Sequence, residues 1–199
     1  MVLTAPLQPT LAGPNMSPLA LVPSLRAPRV DPREVASRLA PAVHWPGAVD
    51  SGRREWRLVA RTPDFDAWLI AWPSGGKVDL HDHGSSAGAV SVISGALVEA
   101  VPWRDDTGRL SLVRQQLQAG TTLGFGADHV HDVTNESAVP ALSLHVYSPA
   151  LTSMTFYEVA GERLVVREVA WTDDGSGEFD EPHEEPTGLR GGGVAATSS

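Results

Sequence analysis

Three histidines in this sequence have the side chain and the spacing that a metal site requires. His81 and His83 are two positions apart. Successive side chains of a strand alternate between its two faces, so on a strand both imidazoles would project from the same face. His131 follows in a later segment that can supply a facing strand. Three imidazoles would then converge on one point. Because imidazole binds iron, copper, zinc and nickel alike, the pattern predicts a metal site without selecting the metal.

A second group of polar residues lies further along the chain. Ser143, His145 and Tyr147 alternate with Leu144 and Val146, so the three polar side chains share one strand face. On an outer face they would simply meet solvent. On an inner face they would form a hydrogen-bonded relay that ends at the Tyr147 hydroxyl. The surrounding residues show neither a nucleophile elbow nor an oxyanion hole, so a serine-hydrolase triad is not predicted.

The elements that would position these residues are mostly strands. Alternation with period two begins near Trp56 and is clear at Trp68, Ile70 and Trp72. Turn signals rich in Gly, Pro and Asp separate many short segments of β-rich composition. This arrangement favours a β-sandwich or a β-barrel.

The ends of the chain differ from this pattern. Residues 1–30 are Pro-rich and aperiodic, which predicts a disordered arm, and residues 172–199 form an acidic, Gly-rich segment that predicts a disordered tail. One domain is therefore expected over residues 31–171. It should open with a short helix from Pro32 to about Ala40, because an aspartate before a proline is a typical helix start.

Composition limits the classes of function. The chain has 199 residues, enough for one domain with a proper core, and a formal net charge of −9. Nucleic acids and anionic membranes attract basic surfaces, so neither partner is expected. The sequence contains no Cys, which removes disulfides and thiolate metal sites. Prolines interrupt the apolar residues near the N-terminus and no basic residue precedes Arg26, so a signal peptide is not predicted and a cytoplasmic location is expected.

The two histidine segments resemble the paired motifs of the cupin superfamily. The matching residues are Gly75-x5-His81-Asp82-His83-x4-Gly88-x6-Gly95 and Gly120-x10-His131-x3-Asn135. Cupins hold their metal inside a small barrel, so the resemblance implies an all-β, jelly-roll-like cupin barrel with a short N-terminal helix and disordered tails. The first motif usually supplies a carboxylate ligand at the position that Gly88 holds here. The expected ligand set therefore contains three histidines and no acid.

The remaining histidines are not predicted to be metal ligands. The register of the second motif selects His131 as the ligand and leaves His129 as a neighbour at the barrel mouth. His44 and His183 have no partner pattern, and we expect no role in the site for either.

Within the cupins, the chain looks like a bacterial cysteine dioxygenase of type I, a thiol dioxygenase. Four segments carry this likeness: Trp56-Arg57-Leu58, His81-Asp82-His83-Gly84, His131-Asp132-Val133 and Ser143-Leu144-His145-Val146-Tyr147-Ser148-Pro149. Animal members crosslink a Cys to the active-site Tyr. This chain has Gly88 at the corresponding position and no Cys, so no crosslink can form.

The resemblance implies a reaction, a metal and a set of roles. The chain would oxidise the thiol of L-cysteine to cysteine sulfinate with O2 at Fe(II), although zinc stays open on ligand chemistry alone. Arg57 would bind the substrate carboxylate, unless it is an ordinary surface arginine. The other implied residues are the metal ligands His81, His83 and His131 and the catalytic relay Ser143, His145 and Tyr147.

Two alternatives stay open at this stage. A dioxygenase for 3-mercaptopropionate or another small thiol has the same chemistry, and a Gln in place of the family's substrate arginine marks 3-mercaptopropionate enzymes. A non-catalytic metal-binding cupin that binds a small acid belongs to a different class, because fold does not imply function. The expected partners are a small thiol and O2. The oligomeric state is open, and a monomer is possible.

Overall fold

The structure, a computed structural model, describes residues 30–171. The predicted N-terminal arm, apart from residue 30, lies outside the described residues. The predicted C-terminal tail, with His183, also lies outside them. No helix in the described part of the chain is long and apolar enough to cross a membrane.

One helix, α1 (Pro32–Leu39), opens the described chain and is followed by a 3-10 turn over Ala40–Ala42. The Asp31 side chain caps it by accepting a hydrogen bond of 2.9 Å from the backbone N–H of Arg33. Proline at the first position suits the helix start, because its fixed φ is already helical and its missing N–H has no partner there. The helix predicted from the sequence is therefore present.

Strands make up most of the remaining chain. The described residues contain β1 (Glu55–Arg61), β2 (Asp66–Trp72), β3 (Lys77–His81), β4 (Ala87–Ser94), β5 (Ala96–Arg104), β6 (Leu110–Gln118), β7 (Thr122–Phe125), β8 (His131–Thr134), β9 (Ala141–Ser148), β10 (Ser153–Ala160) and β11 (Arg163–Trp171). They form a five-stranded sheet in the order β1-β2-β9-β4-β7 and a six-stranded sheet in the order β11-β10-β3-β8-β5-β6. The pairings between neighbours are antiparallel. The all-β cupin barrel expected from the sequence is confirmed.

The main core lies between the two sheets. Trp72 of β2 comes from the five-stranded sheet, and Leu97 of β5 and Val133 of β8 come from the six-stranded sheet, and all three belong to one buried cluster. Burying each apolar side chain of this size stabilises the fold by about 1.5–3 kcal/mol relative to exposure. This core fixes the strands whose ends carry the candidate site.

A second cluster covers the outer face of the five-stranded sheet. Ala36 of α1 is fully buried there, in the same cluster as Leu144 and Val146 of β9. Because these two apolar residues pack outward, the residues that alternate with them must point into the barrel. Because α1 packs on one face of β9, the opposite face of β9 lies toward the barrel interior.

Candidate metal centre and active-site cavity

The three histidines predicted as ligands come together inside the barrel. His81 ends β3 and is paired in register with His131, the first residue of β8. His83 lies just beyond β3, where the chain stays extended because Asp82 N–H bonds to the Thr155 carbonyl at 2.9 Å. The ring centroids are 4.8 Å apart for His81 and His83, 4.8 Å for His81 and His131, and 5.1 Å for His83 and His131. One nitrogen of each ring lies within 4.8 Å of those of the other two.

The hydrogen bonds of two rings determine which nitrogen can bind a metal. His81 Nδ1 is 2.8 Å from the Asp79 carbonyl, and a carbonyl can only accept, so the proton is on Nδ1 and the lone pair is on Nε2. His131 Nδ1 is 2.6 Å from Glu99 Oε1, which also accepts, so His131 likewise carries its proton on Nδ1 and its lone pair on Nε2. Burial, with the charge of His131 adding to it, holds the pKa of His81 well below its usual value. Burial also lowers the pKa of His131, although Glu99 opposes the shift. Both imidazoles are therefore neutral and present Nε2 to the centre.

His83 is the strongest single indication that a metal binds here. Both of its ring nitrogens are buried and have no hydrogen-bond partner among residues 30–171. An unpaired buried polar group destabilises a protein by about 1–3 kcal/mol. A metal ion at the centre of the three rings would remove this penalty, since one nitrogen of His83 would then be a ligand. The residues present fit a divalent metal ion, and the identity of the metal does not follow from three imidazoles.

The missing acid ligand has a structural explanation. A Cβ atom added at Gly88 would lie 2.4 Å from Cε2 of Phe125 and 3.0 Å from Cδ1 of Tyr147. The Phe125 ring stacks on His83, with centroids 5.0 Å apart and planes at 27°. The space that a longer side chain at position 88 would enter is therefore filled by an aromatic ring beside the three histidines.

The polar face of β9 points into the barrel and forms a continuous relay. All eight residues of β9 are buried. Trp72 Nε1 donates to Ser143 Oγ at 2.8 Å, Ser143 Oγ is 2.9 Å from His145 Nε2, and Tyr147 OH is 3.3 Å from His145 Nδ1. The solvent-exposed alternative for these residues is excluded.

The direction of the relay follows from donor and acceptor counts. Ser143 accepts from Trp72, and its own O–H has His145 Nε2 as the acceptor within reach, so the hydroxyl donates to that nitrogen. Burial, with smaller contributions from the neighbouring His131 and Arg54, lowers the pKa of His145 to about 3, so the ring is neutral. Its proton is then on Nδ1 and is donated to the Tyr147 oxygen. This arrangement leaves the Tyr147 O–H available to donate into the cavity.

A small cavity connects the relay with the metal centre. Its volume is ≈ 50 Å³, about the space of three to five water molecules. Its polar lining residues are Arg54, His81, His145 and Tyr147, and its other lining residues are apolar, including Trp56, Trp68 and Trp72. Burial raises the pKa of the Tyr147 hydroxyl above its usual value, so Tyr147 remains a donor at neutral pH. The cavity accommodates a small polar molecule and not a peptide or a nucleotide.

The structure places Arg57, to which the resemblance assigns the substrate carboxylate, away from the cavity. Arg57 is exposed, its guanidinium lies 5.1 Å from the centroid of the Trp45 ring, and it does not line the cavity. The physical reason is strand alternation. Trp56 faces the cavity, so its neighbour on β1 must face the opposite side.

Arg54 is the arginine that the cavity contains. It lies two residues before Trp56, so alternation places both side chains on the same side of the chain. Its guanidinium lies 5.3 Å from the ring centroids of both Trp56 and Trp72. The same alternation, applied from Trp56 toward the N-terminus, could have identified it in the sequence.

Glu99 is a second residue that the sequence reasoning missed. Its side chain is 1% exposed, and its Oε1 lies 2.6 Å from His131 Nδ1 and 2.8 Å from His129 Nε2. An acid within the otherwise apolar run of β5 was the available signal. His129 thus lies beside the predicted ligands, and its lack of a direct metal role stays a prediction. His44 is exposed and is not part of the cavity lining.

Comparisons with known proteins match this chain to a family and to several solved structures. The chain matches the family described as cysteine dioxygenase type I over residues 27–160. It is similar to the solved structure of TT1209 from Thermus thermophilus, with 24% identity, 52% of this chain and 90% of that chain covered, and a TM-score of 0.41. The structure of KdgF from Halomonas sp. shows 17% identity, with 55% of this chain and 88% of that chain covered and a TM-score of 0.42. A conserved protein with a double-stranded β-helix domain from Klebsiella pneumoniae shows 19% identity, with 65% of this chain and 94% of that chain covered and a TM-score of 0.41. Because the family match spans more than half of the chain and includes the three histidines and the relay, this protein belongs to the cysteine dioxygenase type I family of cupin thiol dioxygenases.

Proposed function

We propose that this protein oxidises the thiol of L-cysteine to cysteine sulfinate with O2 and that its metal is Fe(II). One observation carries the proposal. A guanidinium, a directed hydroxyl donor and His81, one of three convergent imidazoles, line one small cavity. Each suits one part of the reaction, namely the carboxylate of the substrate, the reacting oxygen and the metal that holds the sulfur. The activity is assigned to the single domain predicted for residues 31–171.

Arg54 supplies the binding energy for the carboxylate. A guanidinium presents its donors in a planar fork that matches a carboxylate in both geometry and charge. The rings of Trp56 and Trp72, each 5.3 Å away, hold the side chain and keep water from it. A charge-assisted hydrogen bond in such surroundings contributes about 1.5–3 kcal/mol.

The three histidines supply a neutral ligand set. Because they are uncharged, a bound dication keeps its full charge and attracts an anionic ligand such as a thiolate. His81, His83 and His131 would hold Fe(II), which would supply Lewis acidity toward the thiolate and redox chemistry toward O2. Both oxygen atoms are transferred to sulfur, and the sulfur provides the four electrons that O2 accepts, so no external reductant is needed.

Tyr147 and its relay supply a fixed donor to the reacting atoms. The Tyr147 O–H is left free to donate into the cavity, because the Ser143 and His145 hydrogen bonds orient it from behind. Apolar side chains line most of the remaining surface and exclude water, which strengthens the electrostatic effect of this donor. We propose Ser143 and His145 as positioning residues and Tyr147 as the residue that touches substrate.

A second candidate substrate, 3-mercaptopropionate, is favoured by one specific observation. No Asp or Glu among the described residues lines the cavity, so no acid there would bind the ammonium group of cysteine. Either the amine binds the metal as a free amine, or the substrate lacks one. Both molecules carry the thiol and the carboxylate that the site would bind.

One assay decides between these functions. Iron is added to the protein without air, and O2 consumption and sulfinate formation are then measured with cysteine, 3-mercaptopropionate and cysteamine. We expect cysteine to have the highest kcat/KM, and cysteamine, which has no carboxylate, to be a poor substrate. Preference for 3-mercaptopropionate would establish the second candidate. Stoichiometric iron with no O2 consumption for any thiol would indicate a non-catalytic cupin.

A further inference from the structure

A buried carboxylate lies directly behind the metal centre. Glu99 of β5 sits in register with Val133, two residues along β8 from His131. Oε1 of Glu99 accepts from two imidazoles, His131 Nδ1 at 2.6 Å and His129 Nε2 at 2.8 Å. Its other oxygen, Oε2, accepts from the side-chain amide of Gln115. Three donors therefore hold one carboxylate in a single orientation.

These contacts keep the carboxylate ionised. Its two oxygens accept hydrogen bonds from His129, His131 and Gln115, and these three donors stabilise the charged form of the carboxylate. A buried charge is tolerated only when it is paired and hydrogen-bonded, and Glu99 satisfies both conditions. The barrel thus contains one fixed negative charge in contact with a candidate ligand.

We propose that Glu99, held in place by His129, is a positioning residue for the metal. It fixes His131 with its proton on Nδ1 and its lone pair on Nε2, and it provides from behind the ligand the negative charge that cupins usually place at the position of Gly88. This inference rests on the proposed metal site at the three histidines. It assigns to His129 a role that acts through Glu99 and not through the metal.

An alternative role for the same residues is a second metal site formed by Glu99, His129 and His131, whose ligand atoms are also close together. The geometry favours the positioning role. The Glu99 oxygen is within hydrogen-bond distance of both nitrogens, so both N–H groups already have their acceptor. A metal between them would require all three groups to separate and His131 to lose its Nδ1 proton.

His129 also connects Glu99 and His131 to the barrel mouth. Its side chain is 20% exposed, and its ring stacks on Phe125 with centroids 4.8 Å apart and planes at 22°. Phe125 stacks in turn on His83. The stack and the hydrogen bond to Glu99 are separate functions of one ring, and substitutions can separate them.

The first experiment measures metal affinity in Glu99→Gln, which removes the charge but keeps an acceptor, and in Glu99→Met, which removes both. Affinity for Zn(II) and Co(II) is measured by competition with a chelator, and affinity for Fe(II) is measured without air. We expect about a 10-fold to 100-fold loss for Glu99→Gln and a larger loss for Glu99→Met. Asp132→Asn is the matched control, because it removes an equal charge one residue from His131 without a hydrogen bond to it; we expect less than threefold change. Equal losses in Asp132→Asn and Glu99→Gln, or no loss in Glu99→Gln, would overturn the proposal.

A second pair of variants tests His129 without altering Glu99. His129→Phe keeps an aromatic ring on Phe125 and removes the N–H donor, whereas His129→Gln keeps a donor of similar reach. We expect His129→Phe to weaken metal binding by about 3-fold to 10-fold, less than Glu99→Gln because His129 acts only through Glu99, and His129→Gln to restore most of it. Equal affinities for these two variants and the wild type would contradict a role that acts through Glu99.

A spectroscopic measurement needs no variant for its main result. In metal-free wild-type protein, ¹⁵N NMR of the histidine rings should show His131 with its proton on Nδ1, and Glu99→Met should shift the ring toward the Nε2–H form. A wild-type His131 protonated on Nε2 would refute the positioning role. Failure of the metal site itself would look different, because His81→Ala and His83→Ala would then leave metal affinity unchanged.

Discussion

The two histidine regions of this barrel differ in the partners of their nitrogens and not in their burial. His81, His83 and His131, around β3 and β8, are almost fully buried, and so is His145 on β9. Both nitrogens of His145 are engaged by the hydroxyls of Ser143 and Tyr147. In the other region His81 and His131 each bond through Nδ1 alone, and His83 has no partner within the described chain. Burial makes all four imidazoles neutral, but only the unshared lone pairs make three of them suitable as ligands.

The most direct way to break this comparison is to remove one imidazole from each region. His83→Ala should abolish stoichiometric metal binding, because two remaining imidazoles do not hold a divalent ion tightly. His145→Gln, which keeps hydrogen-bonding groups in the relay, should leave binding stoichiometric. Metal analysis of the purified variants measures both. A normal metal content in His83→Ala, or its loss in His145→Gln, would reverse the roles assigned to the two regions.

The same test distinguishes His131, the first residue of β8, from His129, which lies two residues before that strand. His131→Ala should lose the metal, whereas His129→Ala should bind it stoichiometrically at saturating concentration, although more weakly. Retention in His131→Ala with loss in His129→Ala would show that the ligand register is wrong.

A second comparison concerns two arginines with different surroundings. Arg54→Gln should lower kcat/KM for cysteine on the order of tenfold to a hundredfold, since a charge-assisted bond contributes about 1.5–3 kcal/mol. It should scarcely change the rate with cysteamine, which lacks a carboxylate. Arg57→Gln is the matched control on the outer face, and we expect no change with either thiol. Equal losses for both thiols in Arg54→Gln would mean that this arginine supports the cavity and does not bind the substrate.

A smaller effect is expected at the end of the relay. Tyr147→Phe removes one hydroxyl and keeps the ring that contacts His83, so metal binding should persist. Loss of a neutral hydrogen bond of about 0.5–1.5 kcal/mol predicts a decrease of roughly twofold to tenfold in rate. Sulfinate formed per O2 consumed should be measured together with the rate. A variant with unchanged rate and coupling would leave Tyr147 with a packing role alone.

At neutral pH, the smallest of the expected effects comes from the charge of His145. Its pKa is lowered from 6.5 to about 3 in the folded protein. Between these values the unfolded chain carries a proton on this residue and the folded protein does not. The free energy of unfolding should therefore fall as the pH decreases through this window, by at most about 1.4 kcal/mol per pH unit, with no contribution above pH 6.5. Denaturant unfolding of the metal-free protein measures the slope, which should be shallower in His145→Gln; identical slopes would mean that His145 is already charged.

Local patterns in the sequence predicted the parts of the site that depend on local geometry. The spacing of His81 and His83 and the alternation along β9 state directly which side chains share a face. The role of Arg57 is implied only by the resemblance of Trp56-Arg57-Leu58 and not by local geometry, and β1 contains a register shift between Leu58 and Ala60 that the sequence does not reveal.

Contacts between distant strands were the part that could not be predicted. Glu99 reaches His131 only because β5 and β8 are neighbours in the six-stranded sheet, and that order is a property of the topology. The Phe125 ring reaches Gly88 for a similar reason, since β7 pairs with β4. Neither pairing produces a signal in the spacing of the residues themselves.

The close approach of Gly88 and Phe125 also restricts the order in which this protein can change. The Phe125 ring lies between His83 and His129 and cannot turn aside easily, so any side chain at position 88 would collide with it. Gly88→Cys or Gly88→Glu would therefore be harmful alone and tolerated after Phe125→Ala. A lineage with this barrel could acquire a crosslinking thiol or a fourth ligand only by reducing residue 125 first. We therefore expect the effect of a substitution at position 88 to depend on the residue at position 125.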